Sequence, residues 1–364
     1  MATTEVPFLL GAAFINQAVR GTIEPGVAIG AGSGTGGAIN NIADGAVLGD
    51  PDAGVGSSGI SFGFAKNSSE KAPATGSFTR NFANFVSYAI DSASITIPLK
   101  GNGFTTSTPL AVEFRPDLGV AALLRSIGLT GAANGATWRY KPASVGLITA
   151  DFYFGNASNN GGRIRAMDLE AASGTFNFTP GEPASLEVAL GGVFESYDEA
   201  GSWPAEPFQY GNQSTLSAPA VVNVAFTWGP SAPTTRALGF SELSITIDNA
   251  QDNVPSSNSL TGFAPRQTDR TIVATGVIDS AAAEVLYELD QLGEDLIANA
   301  DPLTFTVGTP AGAAQTANAY RITMPTPELT KLEKADPLGS SDAWNVELTA
   351  RGATANSEFE LVYL

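Results

Sequence analysis

Short runs in which apolar and polar residues alternate, broken by glycine- and proline-rich turns, predict a mainly β protein with two short helices. Three observations carry that expectation. ASITIPLKG at residues 93–101 and VGLITADFYF at 145–154 alternate as half-buried strands do. The 364 residues include 40 glycines and 22 prolines, with 43% apolar and 15% charged residues, which describes a folded, turn-rich chain. An order of strand, helix, strand, strand over residues 93–154 recurs from about residue 270, where TIVATGVID leads into AAAEVLYELDQLGEDLIA, PLTFTVG and AYRITMP. A fixed order repeated at a long interval reads as two copies of one unit.

Residues 1–59 are too rich in Gly, Ala and Ser for a continuous strand or helix, and read as an arm or long loop with a few short extended pieces. Gly32, Gly34 and Gly37 satisfy G-x-G-x-x-G, but no buried strand precedes them and AINNIADGAVLGD is no helix, so a dinucleotide site is not expected. Asp50–Asp52 lacks the acidic spacing and terminal Glu of a calcium loop and reads as a turn, a metal ion there being an open alternative.

The first unit spans 60–205. It opens with a hairpin, GISFGFAK and SFTRNFANFVSYAI, joined by a polar tip. A helix near 116–128 starts at Pro116 and Asp117, presents Val120, Leu123, Leu124 and Ile127 on one face, and stops at Gly128. Strands are expected at 147–154, 163–170, 174–179 and 184–194 as an antiparallel meander. ESYDEAGSWPAEPFQYGNQSTLSAP has the composition of a linker, which places a boundary at 205/206. The second unit, 206–364, has its helix near 281–297, with Val285, Leu289, Leu292 and Leu296 on one face. It closes with NVELTAR and EFELVYL as two strands around a turn, the counterpart of GTFNFTPGEPASLEVALGGVF in the first unit.

Composition also narrows function. With no cysteine there is no disulfide framework or thiolate chemistry, and with no histidine the usual general base and commonest transition-metal ligand are missing. No carboxylate pair is marked out, so neither an enzyme nor a cofactor is expected. No apolar run is long enough to cross a membrane. The net charge of −18 repels a phosphate backbone, which argues against conventional DNA binding.

ITIPLKGNG, TWRYKPAS, ITADFYF and RIRAMDLEAASGTFNFTPGEPASLEVALGGVF in the first half resemble the major tail tube proteins of long-tailed bacteriophages. SAPAVVNVAFTW, ALGFSELSITIDNAQDNV, DRTIVATGVID and NVELTARG continue the resemblance, which covers roughly residues 60–364 and leaves out the glycine-rich start. It implies a β-sandwich or incomplete barrel in each unit, duplicated here. It also implies a structural protein of the virion that joins itself into stacked rings, with tail terminator, tape measure and tail-tip proteins as further partners. Phage DNA would pass through an acidic channel without specific binding, and no cofactor is involved. Two units per chain favour a trimer with pseudo-sixfold symmetry over a hexamer.

Glu182, Asp248 and Asp252 fall near hairpins or loops and are the candidates for lumen-facing acids. The alternative is a carbohydrate- or receptor-binding β-sandwich, a decoration or tail-tip protein, with Trp203 as the residue to test for sugar contact. An enzyme acting through two carboxylates ranks third.

Overall fold

The computed structural model describes residues 11–17, 20, 46–48, 60–71, 83–100, 118–135, 137–154, 162–198, 219–222, 226–228, 236–255, 263–279, 302–308, 318–338, 341–352 and 354–364. The second expected helix (281–297), the glycine motif, Asp50–Asp52 and Trp203 lie outside them.

In chain order, β1 (Gly11–Asn16) and β2 (Ala46–Leu48) come from the glycine-rich segment and precede a long hairpin, β3 (Ile60–Lys71) and β4 (Ala83–Pro98). Helix α1 (Leu118–Ser126) leads into a tight hairpin, β5 (Leu129–Asn134) and β6 (Thr137–Pro142), then β7 (Ile148–Phe154), β8 (Gly162–Phe178) and β9 (Ser185–Asp198). Past residue 205 come β10 (Phe226–Trp228), β11 (Arg236–Leu238) and a second long hairpin, β12 (Phe240–Pro255) and β13 (Phe263–Asp279). A second antiparallel pair, β14 (Leu303–Val307) and β15 (Tyr320–Met324), is followed by β16 (Thr326–Leu338), β17 (Ser341–Arg351) and β18 (Glu360–Tyr363).

The body of the large sheet runs β3-β4-β9-β8-β12-β13-β17-β16, with every neighbour antiparallel. The small sheet runs β11-β10-β14-β15-β18-β6-β5. Each half thus sends a long hairpin into the large sheet, an antiparallel pair (β5–β6, β14–β15) into the small one, and a return hairpin (β7–β8, β16–β17) into the large one. Both sheets cross the 205/206 boundary. β8 pairs with β12 from Phe178↔Leu243 to Ser173↔Asp248, and β18 lies between β15 and β6 through Ile322↔Leu361 and Leu361↔Tyr140. The halves therefore share one core. NVELTAR and EFELVYL form the two expected strands, within β17 and β18, but these lie in different sheets.

Alternation decides which side of each strand meets that core. Ile95 and Ile97, Phe176 and Phe178, Ile245 and Ile247, and Val346 and Leu348 are buried, facing the small sheet's Phe305, Ile322 and Tyr363. Aromatic rings join the layers. Phe178 meets Phe305 edge-on at 4.9 Å, and Phe176 stacks on Phe359 at 5.9 Å. Helix α1 buries Leu123, Leu124 and Ile127 and part of Val120, the face expected. It ends at Gly128, whose φ of 81° only glycine adopts freely and whose N–H closes on Arg125 O at 3.0 Å.

Residues 163–170 and 174–179, expected as two strands, form the single strand β8. What separates them in sequence is a pair of bulges, with register shifts at Met167/Glu170 and Ala171/Ser173. The bulges lie where β8 changes neighbour. β9 follows one edge of it from Arg163 to Asn177, while the other edge is taken by β7 up to Leu169 and by β12 from Ser173. At this fork amide side chains replace missing ladder partners. Gln251 donates to Ala171 O (3.4 Å), Asn249 to Ile127 O (3.0 Å), and Gln267 to Asn249 Oδ1 (2.9 Å). On the β7 side, Gln17 Oε1 accepts from Asp168 N (2.8 Å) and Thr149 Oγ1 (3.1 Å).

Candidate functional site: the outward face of the large sheet

Because the buried residues of the large sheet take one phase of each strand, the other phase forms a continuous outward surface. Its residues stand in register across the strands. One row runs Thr96, Glu187, Thr175, Thr246, Val273, Thr349, Glu328, from β4 to β16. A second runs Ser185, Asn177, Ser244, Thr275, Glu347, Lys331. A third runs Ser94, Ala189, Ser173, Asp248, Thr271.

The surface is made of hydroxyls and carboxylates. Hydroxyls bond across strands, Thr175 to Thr246 at 3.1 Å and Ser244 to Thr275 at 2.8 Å. Others donate to acids, Thr330 to Glu347 Oε1 at 3.0 Å and Ser94 to Glu187 Oε1 at 3.3 Å. Within the rows, Glu187, Asp248, Glu328 and Glu347 face the single cation Lys331; Arg351, at the end of β17, donates to Glu328 at 2.5 Å. Lys331 is itself held by Glu333 at 2.9 Å, whose hydrogen bond and charge raise its pKa above the ordinary lysine range. A shallow groove of about 480 Å³ opens among Asn177, Glu242, Ser244, Thr275, Lys331 and Glu347. Such a surface stays hydrated and presents negative charge, so it holds a polyanion weakly.

The three expected acids are not brought together. Asp248 stands in the third row, exposed, beside Ser173 and Thr271. Asp252 is exposed on the same strand, past the last residue that pairs with β8, opposite Arg266 on the projecting part of the β12–β13 hairpin. Glu182 is exposed in the β8–β9 turn at the opposite end of the sheet, where its N–H bonds Thr179 O at 3.1 Å. Glu187, Glu328 and Glu347 were not among the candidates. Two of them sit on the polar phase of SLEVALGG and NVELTAR, so alternation alone would have found them.

A second polar centre lies beyond this face. Arg270 on β13 donates to Glu358 Oε1 (2.8 Å), Asn356 Oδ1 (2.9 Å) and Ala143 O (2.9 Å), tying the loop before β18 and the turn after β6 to the large sheet. Its partners are protein groups, so it reads as a structural clamp. Among the described residues no group of three or more His, Cys, Asp or Glu is placed to hold a metal ion, and no helix is long and apolar enough to cross a membrane. No protein-family model matches the chain, and a search of curated proteins returns no match.

Proposed function

We propose that the chain is a structural, non-enzymatic subunit of a phage tail tube, which closes into rings that stack into an acidic channel for the genome. The observation that carries this reading is the large sheet: eight consecutive antiparallel strands, buried on one side, hydroxyl- and acid-bearing on the other, with β3 and β16 as edges among the described residues. Each such edge offers backbone groups to a further strand, and pairing β3 of one copy with β16 of the next satisfies both. The relation is head-to-tail and closes when the rotation between copies is right.

Geometry favours three copies. Eight strands from each of three chains, about 4.8 Å apart and tilted about 40°, give a barrel with a bore of roughly 40 Å once side chains are subtracted. That passes a DNA duplex with room for a hydration layer. Six copies would double the circumference and leave the duplex far from the wall. The outward face becomes the lumen, and its carboxylates keep phosphates from adhering. The subunit would be made in the host cytoplasm, end in the virion, and meet tail terminator, tape measure and tail-tip proteins at the tube ends.

Electron microscopy of the purified protein, with masses of any rings measured in parallel, tests this. Hollow rings of about 112 kDa, three times 37.3 kDa, are expected; about 224 kDa means six copies. A chain that stays monomeric at every concentration and binds a glycan array counts for the carbohydrate-binding reading, for which the described rows of the outward face offer no aromatic platform.

A further inference from the structure

The large sheet repeats itself strand for strand. β3-β4-β9-β8 and β12-β13-β17-β16 lie side by side in it, with corresponding strands running the same way. Their ladders agree in register at a constant spacing along each strand. Ile60↔Ile95 and Phe62↔Ala93 return as Leu243↔Gly276 and Ile245↔Ala274. Ile95↔Val188 and Ile97↔Leu186 return as Gly276↔Val346 and Ile278↔Trp344. Asn177↔Ser185 and Gly174↔Val188 return as Ala335↔Ala343 and Leu332↔Val346. Even an irregularity recurs: the shift at Ala171/Ser173, opposite Leu190 and Ala189, matches the one at Leu329/Lys331, opposite Leu348 and Glu347. A bulge at the same place in both ladders marks one four-stranded unit built twice.

The two units join where β8 meets β12, antiparallel, from Phe178↔Leu243 to Ser173↔Asp248. By the same registers β16 is the counterpart of β8, and β3 of β12. Both are edges of the sheet among the described residues. The core side differs in parallel with this. Ala171, Phe176 and Leu186, beside the internal junction, are fully buried; their counterparts Leu329 and Trp344 are only partly buried, and Lys334 is exposed. What covers the end of the first unit is the start of the second.

We propose, resting on the tube reading, that the contact between copies repeats the internal junction residue for residue. β16 of one copy then pairs antiparallel with β3 of the next, with Ala335 opposite Ser61, Lys334 opposite Phe62, Glu333 opposite Gly63 and Leu332 opposite Phe64. These are the counterparts of Asn177↔Ser244, Phe176↔Ile245, Thr175↔Thr246 and Gly174↔Ile247. A second copy of this chain is the partner that fits, because it alone brings the strand whose ladder already matches β12. Twist between neighbouring strands has one hand, so repeating one junction turns each copy by a similar angle and lets a head-to-tail ring close. Register matters here: a slip of one residue would turn the core side of β3 outward.

The chain has no cysteine, so introduced thiols report this register directly. Opposite residues of an antiparallel pair have Cα atoms about 4.5–5.5 Å apart, within reach of a disulfide, whereas positions two residues along the diagonal are about 7–8 Å apart and beyond it. In assembled full-length chain, oxidation should link copies through Ser61→Cys with Ala335→Cys, and through Gly63→Cys with Glu333→Cys. The crossed combinations, Ser61→Cys with Glu333→Cys and Gly63→Cys with Ala335→Cys, should stay single chains on a non-reducing denaturing gel. Asn177→Cys with Ser244→Cys, the internal counterpart, should oxidise within one chain and serves as the positive control. Two matched pairs keep the test open if one variant folds poorly. Crossed pairs that link, or assemblies in which neither matched pair links while the internal control does, overturn the register and leave the tube reading standing. A wild-type chain that forms no assembly at any concentration overturns both.

Discussion

Tyr320 is fully buried, its pKa is raised by that burial, and its hydroxyl has no hydrogen-bond partner among the described residues. A desolvated hydroxyl without a partner costs more than it returns, so Tyr320→Phe should stabilise the chain by about 1 kcal/mol, visible as a higher urea midpoint at unchanged slope. Gly174 behaves in the opposite way. A Cβ there would lie 2.6 Å from Ile127 Cγ2, so Gly174→Ala should cost about 1–3 kcal/mol. Adding Ile127→Val should recover part of that loss, since the two sites touch. At this scale the sequence was unevenly legible. Gly128 could be read as a helix stop because its neighbours show the helical face it ends. Gly174 could not, because its reason is a side chain from a helix that local pattern does not place beside it. Glu170 was likewise hidden: its acid reads as an ordinary polar position, and only the fork buries it. Burial raises its pKa above the ordinary glutamate range, a sign that equilibrium unfolding can check. The stability of wild-type relative to Glu170→Gln should fall as pH rises through the raised pKa, opposite to what a salt-bridged surface acid gives.

Most strands were legible, because alternation records which side is buried, and α1 was found within two residues of its ends at either terminus. The errors have physical causes. AASG between residues 171 and 174 looks like a break between strands, yet small residues are what a double bulge under a helix tolerates. Gly11–Asn16 reads in sequence as part of an arm because glycine dominates its surroundings, while its place in the sheet comes from β7 and from Phe14. Edges were the part sequence could not assign, since a lone strand does not reveal which of its sides is paired. They can be tested by proline. On β3, successive N–H groups point to opposite edges, so of Ala65→Pro and Lys66→Pro one removes a bond to β4 and the other only an edge donor. The second variant should fold with a native far-ultraviolet spectrum and fail to form rings. Two variants that assemble equally well would rule out β3 as a joining edge.

On the scale of the whole molecule, the repeat expected from sequence is strand, helix, strand, strand, and its second helix lies outside the described residues; what the halves share among those residues is three strand pairs each. How the halves interlock was not visible in the sequence, because β8–β12 and β6–β18 are pairings between distant segments. The outward face also acts as a unit. Reversing Glu187, Asp248 and Glu347 to Lys in one chain should give assemblies that retain duplex DNA at low salt and release it steeply as salt rises, with a logarithmic slope of about 0.9 per phosphate neutralised. Co-sedimentation across a salt series reads this directly, and unchanged retention would take those residues out of the proposed channel. The central position of β18 has a consequence for synthesis. β6 meets β5 as soon as both leave the ribosome, but its other neighbour arrives only with Leu361, opposite Tyr140. At elongation rates of roughly 5–20 residues per second that delay is on the order of 10–40 s. Until then a two-stranded ribbon waits with its apolar side uncovered, and nascent chains that meet one another in that interval have an unpaired edge to share. The yield of native protein should therefore fall when half-made chains are crowded and rise when a holding chaperone is supplied during synthesis.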